Sequence, residues 1–133
     1  MKKVATALLP ILLSFVILIS CSAPTKSAEE ENVLSSLINI QNSLEANISY
    51  DKFVELLEDA KVKVDLLKRS ENKNAHFLSA VDKCYASYEI ARKAWKLKME
   101  TQNEKRKQDI ESTFSFSISF ASLNIEKANN YYK

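Results

Sequence analysis

The sequence predicts an all-α fold: an up-down antiparallel helical bundle, most simply of four helices, with a three-helix bundle and a frayed first helix as the alternative. Two observations point there. Glycine is absent from all 133 residues, and the two prolines, Pro10 and Pro24, both precede Thr25. Residues 25–133 therefore lack the residue that most easily takes positive φ and the residue that breaks helices. Over the same stretch, apolar residues recur at three- and four-residue steps in four blocks separated by polar clusters, which is the helical period.

In the first block, Glu29, Glu30 and Glu31 put negative charge in an opening turn, where it complements the helix macrodipole. Val33, Leu37, Ile40, Leu44 and Ile48 come next as a stripe of about five turns, widened by Leu34 and Ile38. Ser49 is an N-cap candidate with Asp51 behind it, opening the stripe Phe53, Leu56, Leu57, Ala60, Val64 and Leu67. Asp59 and Lys63 stand at the favourable i,i+4 spacing on its outer face. Ser70 to Asn74 breaks the pattern as a loop, with Asn74 capping the third helix.

Phe77, Val81, Cys84, Tyr88, Ala91 and Trp95 alternate steps of four and three, the spacing of a coiled coil, and Met99 extends the stripe by one turn. Thr101 to Asp109 is polar on every side, so the helix there either projects into water or yields to a connection. The last stripe runs through Ile110, Phe114, Ile118, Ala121, Ile125 and Ala128, closed by Tyr131. Within it, Phe114 to Phe120 alternates apolar and serine residues as a strand would. No second strand exists to satisfy its backbone, so helix is the expectation. The same uncharged, β-prone segment is the expected aggregation site of an unfolded chain. Helices of roughly 20 residues would each be about 30 Å long.

The amino terminus carries a different kind of signal. Lys2 and Lys3 precede a mostly apolar run from Ala5 to Ile19, and Ser20 then precedes Cys21, the n-region, h-region and cleavage site of a secretory signal. Leu18-Ile19-Ser20-Cys21, with a short polar segment after it, resembles the lipobox of bacterial lipoprotein precursors. The resemblance covers residues 1–22 only. It implies cleavage before Cys21 and covalent acyl chains on that cysteine; no cofactor is otherwise expected of the chain. It also implies export and lipid anchoring to the bacterial cell envelope. With Ser22 rather than Asp next, the outer membrane is expected where the source has two, and the outer face of the plasma membrane is the alternative. Residues 1–20 would be the signal peptide, 21–28 the lipidated cysteine and tether, and 29–133 the bundle. Plain secretion and a retained anchor are the competing readings, although a membrane span wants about 20 apolar residues and Pro10 and Ser14 interrupt this run.

Lys2 and Lys3 account for the whole charge excess: the chain has 19 bases and 17 acids, so 17 of each remain after cleavage. No nucleic-acid partner is expected of such a balance. With Cys21 lipidated, Cys84 has no partner for an intramolecular disulfide. One histidine, His76, and no Cys-x-x-Cys pair leave too few ligands for a transition metal. Cys84, mid-stripe, reads as a small buried hydrophobe rather than a redox centre. Glu58, Asp59 and Asp65 fall on outward faces, unlike the tuned carboxylates of hydrolases, and no Glu-x-x-His motif of a di-metal bundle occurs. The chain is expected not to be an enzyme.

Two features suggest partners. Tyr85 and Trp95 belong to residue types enriched in binding hot spots and could frame a groove, although core packing explains the pattern as well. Residues 92–107 hold Arg92, Lys93, Lys96, Lys98, Lys105, Arg106 and Lys107 against Glu100 and Glu104, a basic cluster at one end of the third helix. It could face the acidic first half of the body or meet a polyanion. Three readings are open: an envelope lipoprotein that binds another envelope protein or serves structurally; an adhesin-like lipoprotein binding anionic glycan or lipid through residues 92–107; and an inhibitor or immunity-type lipoprotein.

Overall fold

A computed structural model describes residues 27–133, so Cys21 and the expectations attached to residues 1–26 lie outside the described residues. The described residues form four α-helices and no strand: α1 (Ala28–Glu45), α2 (Tyr50–Arg69), α3 (Ala75–Glu100) and α4 (Glu104–Tyr132). Each starts on a side-chain cap. Ser27 accepts from the Glu30 N–H, Ser49 from Lys52, Asn74 from His76 and Phe77, and Asn103 from Arg106. The helices run up, down, up, down, and their packed stripes enclose one core.

α1 ends earlier than its stripe suggests. Asn47 takes a positive φ of 57°, and its N–H donates to the Leu44 carbonyl at 3.1 Å while Ile48 N–H donates to Ser43 at 3.4 Å. This is the Schellman geometry, with Asn standing where glycine is usual. Ile48 therefore packs against the core from the turn rather than from the helix. At the other end the helix opens at Ala28, one residue into the expected tether.

The polar segment after Glu100 yields to a connection at 101–103, and α4 begins six residues before its first apolar stripe residue, Ile110. α3 and α4 thus reach 26 and 29 residues, against 18 and 20 for α1 and α2. Their joined ends extend past the α1–α2 turn. Met99, expected to continue the α3 stripe, is exposed there because no other described helix reaches that far. Phe114 to Phe120 is helical throughout. At the far end Tyr132 packs beside Phe77, with ring centroids 6.0 Å apart, whereas Tyr131 stacks on exposed His76. A step of four from Ala128 stays on the buried face; Tyr131 falls beside it.

The two long helices pack by a different rule from the rest. Ala80, Cys84, Ser87, Ala91 and Ala94 on α3 face Ser117, Ala121, Asn124 and Ala128 on α4, and all are buried. Small side chains let the two backbones approach closely along most of their length. Ser87 and Ser117 donate to carbonyls one turn back in their own helices, at 2.7 and 2.8 Å, so they need no partner across the seam. α2 and α4 share no neighbouring residues, which places them on opposite corners of the bundle.

The bundle has two unlike ends. At the first, the buried Glu30 side chain accepts from the Asn74 N–H at 2.9 Å, tying the start of α1 to the α2–α3 loop. At the second lie the α1–α2 turn and the projecting α3–α4 hairpin. Residue 27, where the segment from Cys21 joins, is at the first end.

Candidate functional site

At the second end the seam between α1 and α4 opens into a groove of about 490 Å³. Its floor is apolar: Leu44 and Ile48 from the end of α1, Trp95 from α3, Phe114 and Ile118 from α4. Its rim is polar, with Glu45 and Asn47 on one side and Lys98, Glu111 and Ser115 on the other. Local structure explains the opening. The Schellman turn lifts the chain away after Glu45, while α3 and α4 continue. Lys98 and Glu111 pair across the hairpin and hold that rim.

Trp95 fixes the floor. Its ring stacks on Phe53 with centroids at 5.7 Å and meets the edges of Tyr50 and Phe114 at 5.7 and 5.5 Å. Such a ring is held in place before any ligand arrives, which lowers the ordering cost of binding. Tyr85 does not share this site. It lies ten residues earlier on α3 and donates its hydroxyl to Glu89 at 3.1 Å, and Arg92 reaches the same carboxylate at 2.8 Å. Burial, then the charge of Glu89, pushes the Tyr85 phenol above its ordinary range. Tyr85 and Trp95 thus belong to two different surfaces, and the groove walls come instead from α1 and α4. Leu44 and Ile48 were legible as stripe residues; Asn47, whose turn exposes them, was the missing signal.

The basic cluster is divided between two helices. Arg92, Lys93, Lys96 and Lys98 occupy the last turns of α3, and Lys105, Arg106 and Lys107 occupy the first turn of α4. Four of the seven face acids: Arg92 with Glu89 at 2.8 Å, Lys96 with Glu100 at 4.0 Å, Lys98 with Glu111, and Lys107 with Glu104 at 2.7 Å. Among the described residues, Lys93, Lys105 and Arg106 are left as the exposed cationic excess of this cluster. Within the acidic half, Asp59 pairs with Lys63 at 2.7 Å as the spacing predicts, and Lys63 also donates to buried Ser36 at 2.6 Å.

Cys84 is fully buried in the α3–α4 seam, and burial pushes its thiol up to about 12. At neutral pH such a sulfur is a protonated, unreactive packing group. Among the described residues, no three His, Cys, Asp or Glu side chains stand close enough to hold a metal ion. No helix among them is long and apolar enough to cross a membrane. Comparison with protein-family models, with curated proteins and with solved structures finds no match for this chain.

Proposed function

We propose that this chain is a lipid-tethered, non-catalytic interaction module of the bacterial cell envelope, held to the membrane through Cys21 and binding an envelope protein at the α1–α4 groove. The observation that carries this reading is the groove itself. It joins a preorganised aromatic floor to a charged rim, as protein hot spots do, and lies at the opposite end of the bundle from the residue where the tether joins. A partner would insert an apolar or aromatic side chain over Trp95 and set polar groups against Glu45, Lys98 and Glu111. Acyl chains supply the localisation, since two or three together hold a protein on a bilayer almost permanently.

The polyanion reading draws on fewer groups than the sequence suggests, because four of the seven bases already face carboxylates. It makes a separate prediction and the same experiment separates it. The native chain is used to capture partners from solubilised envelopes at low and high salt, beside Ser115→Arg, which fills the groove from an exposed position, and a Lys93/Lys105/Arg106→Gln triple variant. A protein retained at high salt, lost with Ser115→Arg and kept by the triple variant is the expected result. Binding lost with salt and with the triple variant would replace it with the polyanion reading. Mass spectrometry of the amino-terminal peptide tests the tether: Cys21 should be the first residue and carry acyl mass, and an intact Lys2-Lys3 leader would overturn that part.

A further inference from the structure

α4 carries two apolar stripes. One faces the core; the other, Phe116, Phe120 and Leu123, faces away from it and is exposed, with Phe116 at 72%. Phe116 and Phe120 stack on each other at 6.3 Å with nearly parallel rings. Extended by their neighbours of the same phase, they give Asp109, Thr113, Phe116, Phe120, Leu123 and Lys127, in steps of four, three, four, three and four. That is a coiled-coil seam with no helix of the described residues against it. The hairpin widens it: Lys98–Glu111, Trp95–Phe114 and Phe77–Tyr132 share one register, which sets exposed Ile90 and Leu97 of α3 level with residues 119 and 112.

The seam is its own complement. A two-fold axis at the level of Ile118 exchanges Phe116 with Phe120, Thr113 with Leu123, and Asp109 with Lys127. Neither the Asp109 carboxylate nor Lys127 has an ion-pair partner among the described residues, and both are exposed. We propose that two copies of this chain pair antiparallel through the outer stripe of α4, Phe116 of each against Phe120 of the other, with an Asp109–Lys127 ion pair at both ends. The seam is about 27 Å long from end to end. A parallel pairing is disfavoured because it stacks Asp109 on Asp109 and Lys127 on Lys127. The isologous contact closes on itself, so it makes a dimer and not a filament.

The pairing uses the face of α4 turned away from the groove, and it leaves both grooves open. It does not depend on the tether. In a tethered protein it has a geometric consequence: the two segments leading to Cys21 emerge at opposite ends, so a dimer on one bilayer lies along it. Six residues of extended tether reach about 20 Å, enough to span from either end of the bundle to the surface.

The register gives a sharp test in the full-length chain, produced in cells and oxidised in whole cells with a membrane-permeant oxidant, so that the outcome does not depend on where the chain is held. Thr113 and Leu123 are exposed and stand ten residues apart, about 15 Å along the helix, too far for a bond within one copy. Thr113→Cys/Leu123→Cys should run as a covalent dimer without reductant and as a monomer with it, while neither single variant cross-links. Adding Phe116→Ser should lower the dimer yield about ten-fold with helix content unchanged, since that ring is mostly exposed. Asp109→Lys should lower the yield several-fold, and Asp109→Lys/Lys127→Asp should restore it. A dimer from Thr113→Cys alone, a ladder of higher species, or no cross-link in a double variant that retains its helical signal would each overturn the proposal.

Discussion

The α1–α2 half and the α3–α4 half have the same apolar period and bury it in different ways. The first fills space: Val33, Leu37 and Ile40 meet Phe53, Leu57, Val64 and Leu67, all essentially inaccessible to water. The second closes distance along its seam, which is alanine, serine, cysteine and one asparagine; Phe77, Val81, Tyr88 and Ile125 still enter the shared core, while Ile90, Leu97, Phe116, Phe120 and Leu123 stand outside. Period alone does not decide which stripe of α4 becomes the inside: small residues line its seam with α3, and the bulky stripe of Phe116, Phe120 and Leu123 stays outside. Burial of large residues contributes through transferred apolar area; a small-residue seam contributes through close contact between helix surfaces. The two halves should therefore fail in opposite ways.

Removing volume should hurt the first half most. Phe53 is fully buried, edge-on to Tyr88 and stacked on Trp95, so Phe53→Ala should cost about 3–5 kcal/mol in urea unfolding. Adding volume should hurt the second. Ala121→Leu forces the α3–α4 seam apart and should cost about 1–3 kcal/mol. Equal tolerance of Leu at 121 and at an exposed site would show that the seam is not close-packed.

Charge offers a second way to open the seam. The buried Cys84 thiol has its value raised from 9.0 to about 12, and burial raises buried Tyr88 as well. A raised acid favours the folded state below its unfolded value and loses that contribution as pH climbs toward its folded value. Stability should thus be unaffected by these groups below pH 9 and fall progressively from about 9 to 12. Thermal melts at increasing pH measure this, and Cys84→Ala should have a shallower alkaline decline than the parent. An identical decline would remove the thiol from the account.

Legibility in the sequence divides along the same line. The absence of glycine and proline, the caps Ser49 and Asn74, and the stripe of α3 are local signals, and each holds in the structure. Where two stripes share one helix, local reading is blind to the choice: Phe116 and Phe120 belong to an ambiguous alternation, and only packing against α3 turns them outward. The groove depends on Asn47 adopting positive φ, which asparagine does more readily than other non-glycine residues, yet nothing beside it distinguishes it from a helical asparagine. The basic cluster is visible as charge, and three of its four pairings are local i,i+3 or i,i+4 contacts; the fourth requires Lys98 to meet Glu111 across a three-residue connection.

Asn124 is the one polar side chain that the small-residue seam does not fully satisfy. Its amide nitrogen donates to the Phe120 carbonyl at 2.8 Å, while its buried Oδ1 has no hydrogen-bond partner among the described residues. Asn124→Ala removes that acceptor and adds the better helix former, so it should stabilise the chain by about 1 kcal/mol. Loss of stability instead would show that the asparagine fixes the α3–α4 register, as a buried polar residue can in a coiled coil.

The smallest expected effect isolates the turn that separates the halves. Asn47 is the one non-glycine residue at positive φ among those described. Asn47→Gly should stabilise by about 0.5 kcal/mol, because glycine takes the left-handed region without steric cost. Asn47→Ala should destabilise by about 1 kcal/mol, because alanine keeps the Cβ clash of the left-handed region and lacks the short polar side chain that offsets it by local hydrogen bonding. The pair also reads out the groove. Both variants keep the floor residues, so they should alter partner affinity only insofar as the Schellman turn holds Leu44 and Ile48 open. Affinity that tracks turn stability across parent, Gly and Ala would make the early end of α1 a part of the binding site; affinity indifferent to both would confine recognition to Trp95 and α4.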